Sequence, residues 1–254
     1  MKDLADQSFL FAGRLLVWFS CGAASAVAAK LAVEQYADQY PIEVCYCDTL
    51  AHEHPDNRRF LKDVSDWIGQ EIKILKSHRY DTIYDVFRGE RYLNGPNGAP
   101  CTRALKRVPR ERYQDPWDYH VFGYTMEEAK RINDFESDNP SLQTIWILRD
   151  NKIGKSECYR RLRQAGIELP TMYKLGYKNN NCIGCVKGGA GYWNKIRRDF
   201  PEYFWRMAAL ERELGFCLLR IKGEPVYLDE LDPEAGHFDE EPDIECGPQC
   251  VSRV

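Results

Sequence analysis

The chain has 254 residues, 44% of them hydrophobic and 29% charged, with a net charge of −4. That leaves enough apolar material for a sizeable core and no overall basic field to draw in nucleic acid. No apolar run approaches the length of a membrane span, and the opening MKDLADQSF lacks a signal peptide's charged start and apolar middle, so a cytoplasmic protein away from membranes is expected. In that compartment ten cysteines argue against a disulfide framework and for metal or redox chemistry.

Leu15 to Phe19 is an apolar, β-leaning run that predicts a buried strand. It stops at the small residues Ser20, Cys21, Gly22, Ala23, Ala24 and Ser25, and an Ala-rich helix from Ala26 should follow, with Val27, Leu31 and Tyr36 on one face. Strand, small-residue turn and helix N-terminus together make an anion site, because free backbone N–H groups and the positive end of the helix dipole meet there. The bland alternative is an ordinary turn of an α/β domain. A second strand runs from Ile42 to Asp48 and ends in Asp48-Thr49. Asp56 to Gly69 has helical spacing at Phe60, Val64 and Trp67. Further strands are expected at Ile72 to Leu75, Tyr119 to Gly123 and Thr144 to Leu148, with helices at Met126 to Phe135 and Lys155 to Ala165. Alternation of this kind predicts an α/β fold, a doubly wound, mostly parallel sheet covered on both faces.

Tyr92 to Pro100 is a loop rich in Gly, Pro and Asn. Beyond Pro170 come a cysteine-containing loop, an aromatic-rich helix at Tyr192 to Leu214, a hairpin (Leu218 to Ile221, Pro225 to Leu228) and an acidic tail. The expected organisation is a nucleotide-binding core over 1–169 and a cysteine-containing annex over 170–254.

Cys182-Ile-Gly-Cys185 has the shape of a metal knuckle, since both sulfurs can reach one centre; its Asn and Gly neighbours permit unusual backbone angles. Cys101 is the expected partner, and the fourth ligand is drawn from Cys217, Cys246 and Cys250. Four thiolates suit an iron–sulfur cluster or zinc. Cys45, Cys47 and Cys158 read as core residues, and His52 and His54 as exposed loop residues. Arg103, Lys106, Arg107 and Arg110, spaced by three and four, should share one helical face suited to gripping phosphate or sulfate oxygens, where a charge run more usually forms a solvated face.

These stretches together (FSCGAASAV at Phe19 to Val27, CDTLAHEHP at Cys47 to Pro55, CTRALKRVP at Cys101 to Pro109, GYTMEEAKR at Gly123 to Arg131, and CIGC at Cys182 to Cys185) resemble the phosphoadenosine phosphosulfate (PAPS) reductase family of the adenine nucleotide α-hydrolase, or PP-loop, superfamily. The resemblance implies nucleotide phosphates on Ser20 to Ser25, sugar or base near Asp48 and Thr49, and further contacts from Arg103, Lys106, Gly123 and Arg131. It implies a 4Fe–4S cluster, with zinc as the alternative, held by Cys101, Cys182, Cys185 and Cys250. Glu245-Cys246-Gly247 looks like the family's nucleophile motif, which makes Cys246 the catalytic thiolate. PAPS, its adenylyl sulfate (APS) analogue or ATP is then the nucleotide, and a thioredoxin-like protein the reductant.

The sequence departs from the family in three places. Ala23 and Ala24 stand where ATP-cleaving members carry Lys and Asp, Thr102 follows Cys101 where cluster-bearing reductases have a second Cys, and Thr125 replaces an Arg. A reductase acting on activated sulfur through a cysteine thiolate is therefore the first expectation. The rival is an ATP pyrophosphatase that inserts sulfur into nucleic acid (DNA phosphorothioation or tRNA thiolation) with a cysteine desulfurase as partner. A non-catalytic nucleotide-binding module, with Cys246 and Cys250 as structural metal ligands, is the third.

Overall fold

The computed structural model describes residues 13–96, 98–244 and 246. Five parallel strands, β1 (Leu15–Phe19), β2 (Ile42–Cys47), β3 (Ile72–Leu75), β4 (Tyr119–Phe122) and β5 (Gln143–Ile145), form one sheet in the order β3-β2-β1-β4-β5. Val17 of β1 lies opposite Val44 of β2 and Val121 of β4. Every residue of β1 is buried, as expected of a central strand covered on both faces. Its alternate side chains feed two cores: Leu15, Val17 and Phe19 pack with Val27, Phe60 and Leu162, while Leu16 and Trp18 pack with Cys45, Cys47, Phe122 and Trp146.

The helices are α1 (Ala23–Tyr36), α2 (Asn57–Ile68), α3 (Ile83–Glu90), α4 (Pro100–Thr102), α5 (Val108–Tyr113), α6 (Ala129–Asp138), α7 (Ile147–Asp150), α8 (Lys155–Gln164), α9 (Thr171–Lys174), α10 (Ala190–Asp199) and α11 (Pro201–Leu214). Helix α1 packs against β1, α2, α7 and α8. It buries Ala23, Ser25, Ala26, Val27, Ala28, Ala29, Leu31 and Ala32, more than the single expected face, and its small side chains let those neighbours approach. A third core joins Phe87 and Leu105 to Ile183, Trp193, Phe204 and Leu228, and so holds residues beyond 170 against α3 and the α4 region.

Two expected elements and one expected residue differ. Thr144 to Leu148 is not one strand: β5 ends at Ile145, and Ile147 and Leu148 are buried from α7, an outcome a short apolar run leaves open. The expected helix Tyr192 to Leu214 breaks at Phe200 (φ −142°, ψ 64°), because Pro201 excludes the helical conformation from the residue before it and itself starts α11. His52 is buried, its Nε2 accepting from the Ile83 N–H at 3.1 Å, not exposed as expected. The tail hairpin forms as β6 (Leu219–Ile221) against β7 (Glu224–Val226).

Candidate functional site: a cleft that meets a thiol pocket

Strand order reverses about β1, whose neighbours β2 and β4 continue to opposite edges. In such sheets ligands bind beyond the carboxyl ends of the strands at the reversal. A cleft of about 1530 Å³, its open mouth included, lies there, lined by Ser20, Gly22, Ala23, Ala24 and Ser25 after β1 and by Gly123, Tyr124 and Thr125 after β4. Small-molecule sites run to ~300–1,000 Å³, so the space suffices for a nucleotide.

Cys21 turns the chain at the end of β1 with φ of 59°, a left-handed conformation uncommon for a residue with a side chain. Its thiol points into the core toward the Asn57 carbonyl (3.5 Å), and burial pushes the thiol pKa well up. Ser25 Oγ accepts from the Ser20 N–H (3.1 Å) and donates to the Gly22 carbonyl (3.0 Å), closing the elbow. Gly22 at the N-cap of α1 supplies no capping side chain, so first-turn N–H groups beyond that of Ala23 remain available at the cleft. The Ala23 N–H meets the Tyr173 hydroxyl at 3.4 Å. Gly123 is required by contact: a Cβ there would stand 2.6 Å from Ser25 Cα and N. Lys106, Lys130, Arg131 and Lys155 bring positive charge to the walls. Arg131 lies over the Tyr124 ring at 4.4 Å and pairs with Glu128.

Beside the cleft, Cys101, Cys182, Cys185 and Cys246 line one smaller cavity of about 380 Å³ with Thr49, Thr102, Lys106 and Lys187. The knuckle is set by Gly184 at φ 72° and by Tyr192, whose hydroxyl takes the Cys185 N–H at 2.9 Å. Cys101 follows Pro100 in α4, which runs through a π-helical turn (Arg103–Arg107) into α5. That wider turn directs Lys106 inward, its Nζ 3.5 Å from Cys246 Sγ. Thr102 Oγ1 lies 3.7 Å from the same sulfur. The Cys185 thiol, Lys106, Lys187 and Thr102 together hold the Cys246 pKa well below the ordinary thiol range against the effect of burial. Burial pushes Cys101 up to about 12 and Cys182 higher still. For Lys106, burial alone would lower the pKa; the charges of Cys246, Cys182, Glu53 and Cys101 outweigh it, and the ammonium is stabilised.

Zinc–sulfur bonds of about 2.3 Å set ligand sulfurs about 3.8 Å apart, and among the described residues no group of three or more His, Cys, Asp or Glu side chains is arranged to hold a metal ion. A four-iron cluster spreads its four cysteine sulfurs over a larger body. Four thiols lining one cavity are the donor type such a cluster takes, and its positive irons would let them ionise.

The three asparagines before the knuckle work as hydrogen-bonding brackets. Asn180 Nδ2 donates to the Cys21 carbonyl (2.7 Å) and to Asn57 Oδ1 (2.9 Å), tying the elbow to the knuckle loop. Asn57 in turn donates to Glu53 at 2.7 Å. Asn181 and Asn179 donate to the Ile244 carbonyl at 2.9 and 3.4 Å, and Lys178 to the Glu241 carbonyl at 2.5 Å, which fixes the tail two residues before Cys246. The Glu241 carboxylate accepts from Gly191 N (2.6 Å) and Tyr192 N (3.1 Å) at the start of α10.

Of the residues singled out from sequence, the structure brings Ser20, Gly22, Ala23, Ala24, Ser25, Lys106, Gly123, Arg131 and Cys246 to the cleft. It brings Cys101, Cys182, Cys185 and Cys246 to the thiol pocket, with Thr49 at its edge. Cys250 lies outside the described residues. Arg103 does not share a face with Lys106: it is half-exposed and paired with Glu90 at 3.6 Å, because the π turn rotates it outward. Arg110 is buried, with Nε and Nη1 lacking a hydrogen-bond partner. Asp48 caps its own turn through the Leu50 N–H (3.2 Å), away from the cleft walls. Cys217 stands apart from the thiol pocket, beside Tyr227 and Glu211. Lys155, Tyr173 and the bracketing asparagines were missed; only the Asn-Asn-Asn run gave a signal.

No family model and no curated protein matches the sequence. In structure the chain is similar to a PAPS reductase from Candida auris solved as a phosphate complex, at 12% identity and a TM-score of 0.46, over 66% of this chain and 80% of that one. It is also similar to the U34-tRNA thiolase NcsA from Methanococcus maripaludis with its 4Fe–4S cluster, at 16% identity and a TM-score of 0.42, over 82% and 74%.

Proposed function

We propose that the chain is an enzyme of sulfur metabolism. It binds an adenine nucleotide carrying an activated sulfur group, phosphates on the α1 N-terminus, and acts on that sulfur through a tail thiolate. The observation that supports this most is that Lys106 and Cys246 line both the cleft and the thiol pocket, so nucleotide and thiols share one wall. Ala23 and Ala24 give the elbow neither the cation nor the carboxylate that cleaving ATP with a bound divalent metal would use, which favours an adenylyl sulfate as substrate.

In this reaction a thiolate attacks the sulfonate sulfur, the sulfur–oxygen bond to the nucleotide breaks, and the nucleotide leaves with that oxygen. One thiol of an external dithiol reductant then attacks the enzyme's thiosulfonate, releasing sulfite. The reductant's second thiol resolves the mixed disulfide, so sulfur gains two electrons and the dithiol loses two. The tail carries two candidate thiols, Cys246 and, four residues on, Cys250. Lys106 steadies the negative oxygens that approach the pocket. Held by Cys101, Cys182, Cys185 and a fourth thiolate, an iron–sulfur cluster would supply a charged body beside that lysine.

The rival, ATP-driven sulfur insertion into nucleic acid, is favoured by one feature: Lys130, Arg131 and Lys155 line the cleft and offer charge that the elbow lacks. Anaerobic incubation with adenylyl sulfates plus a dithiol reductant, and separately with ATP with and without nucleic acid, separates the two. Sulfite from the former is the expected product. Pyrophosphate that rises with nucleic acid, without sulfite, overturns the proposal in favour of its rival, and neither product leaves a nucleotide-binding module.

A further inference from the structure

We propose that the Tyr173 hydroxyl is a substrate ligand at the elbow, donating its proton to the nucleotide phosphate seated on the α1 N-terminus. The inference deepens the function above and rests on the cleft binding a nucleotide, whichever reaction follows.

The elbow, Ser20 to Ser25, holds no charged side chain. What reaches it from elsewhere in the chain is a phenol. Tyr173 lines the cleft with Ser20, Gly22 and Ala23, and its hydroxyl oxygen stands 3.4 Å from the Ala23 backbone nitrogen. A Cβ on Gly22 would come within 3.3 Å of the same oxygen, so the glycine gives the hydroxyl its room over the turn.

Hydrogen-bond accounting then shows what the hydroxyl has left to give. A phenol has one proton to donate and accepts through its oxygen. The Ala23 N–H is directed at that oxygen, and the Asn180 backbone N–H acts on it as well. Among the described residues no group accepts the Tyr173 proton. A donor on a cleft wall with its proton unspent is completed by an oxygen of the ligand. Donation into the phenol oxygen also polarises its O–H, so each bond strengthens the other. The phenol keeps its proton near neutral pH, because burial and the neighbouring Tyr159 push its pKa up.

The ring is fixed before any ligand arrives. Tyr173 belongs to α9, whose Thr171 donates through N and Oγ1 to Asp56 Oδ2 at 2.9 and 3.0 Å. Arg59 grips the same carboxylate at 2.7 and 2.9 Å, which ties α9 to α2. Tyr159 meets the Tyr173 ring edge-on, with centroids 5.5 Å apart. A donor held in this way needs little further ordering when the phosphate binds.

Tyr173→Phe keeps the ring and removes only the hydroxyl. The full chain, wild type and Y173F, is titrated calorimetrically with adenosine 5′-monophosphate, which has no sulfur to transfer. Y173F should bind it at least about tenfold more weakly, having lost a hydrogen bond to a charged group. Adenosine, which lacks the phosphate, should bind both chains alike. Equal affinity for the monophosphate overturns the inference, and so does a matching loss for adenosine, since the hydroxyl would then serve something other than the phosphate. A second measurement needs no variant. The monophosphate should red-shift the near-ultraviolet tyrosine absorption of the wild type, as expected of a phenol donating to an anion, and the difference band should be missing from Y173F. Saturated wild type with an unshifted spectrum overturns the assignment. A wild type that binds no monophosphate overturns the nucleotide site together with this inference, whereas equal binding by the two chains overturns the inference alone.

Discussion

Asn180 is the residue through which the elbow and the knuckle loop are joined, and Asn180→Ala isolates that joint. The side chain is 5% exposed, and its Nδ2 serves two buried acceptors, the Cys21 carbonyl at 2.7 Å and Asn57 Oδ1 at 2.9 Å. Truncation strands both. Each buried acceptor left without a donor costs ~1–3 kcal/mol, partly recovered where water enters, so a loss of about 3 kcal/mol is expected. For a chain of this size that lowers the melting temperature by roughly 6–12 °C. The freed Cys21 carbonyl also loosens the turn that aims the α1 N–H groups, so nucleotide affinity should fall about tenfold, equivalent to about 1.4 kcal/mol. Calorimetric melting of the apo chain and titration with adenosine 5′-phosphosulfate read the two effects separately. Melting within about 2 °C of wild type together with unchanged affinity would refute the joint.

Gly123→Ala should abolish measurable nucleotide binding, because its Cβ would fall 2.6 Å from the Ser25 backbone and push the elbow off α1's axis; titration with the same nucleotide checks it. Lys106→Met should cut sulfite formation at least about a hundredfold. Its iron content after reconstitution should stay at the wild-type level, which separates charge stabilisation from cluster assembly. Glu211 is fully buried beneath the hairpin, its carboxylate accepting from Leu218 N and Leu228 N at 2.6 Å each, and burial raises its pKa from 4.5 to about 7. A raised carboxyl pKa means the folded state holds its proton more tightly. Stability from this group is therefore intact below pH 4.5, declines as pH rises to about 7, and is level beyond. Urea unfolding should show Glu211→Gln gaining about 3 kcal/mol relative to wild type between those limits; a pH-independent difference would contradict this.

Much of the fold was legible because its strands obey simple patterning. Leu15–Phe19 and Ile72–Leu75 fall where the apolar runs placed them, and the small-residue elbow was visible as the gap between strand and helix. What escaped was decided by tertiary packing or by single residues. Ile147 and Leu148 are equally apolar in a strand or a short helix, and only the position of β5 at the sheet edge distinguishes the two. The π turn that sends Lys106 inward and Arg103 outward inserts an extra residue into a helical face that spacing alone reads as continuous. The pairing of Cys101 with the Cys182–Cys185 knuckle could be foreseen from residue type. The arrival of Cys246 was legible only as one candidate beside Cys217 and Cys250, since it depends on brackets from Asn179, Asn181 and Lys178, whose partners lie some sixty residues away.

The most direct measurement is an anaerobic crystal structure of the iron-loaded chain soaked with adenosine 5′-phosphosulfate. Phosphate oxygens within hydrogen-bonding distance of the Gly22 to Ser25 amides, with the sulfonate turned toward Lys106, is the predicted result. A nucleotide bound elsewhere, or phosphates held away from the α1 N-terminus with Cys101 remote from Cys182 and Cys185, would contradict the account.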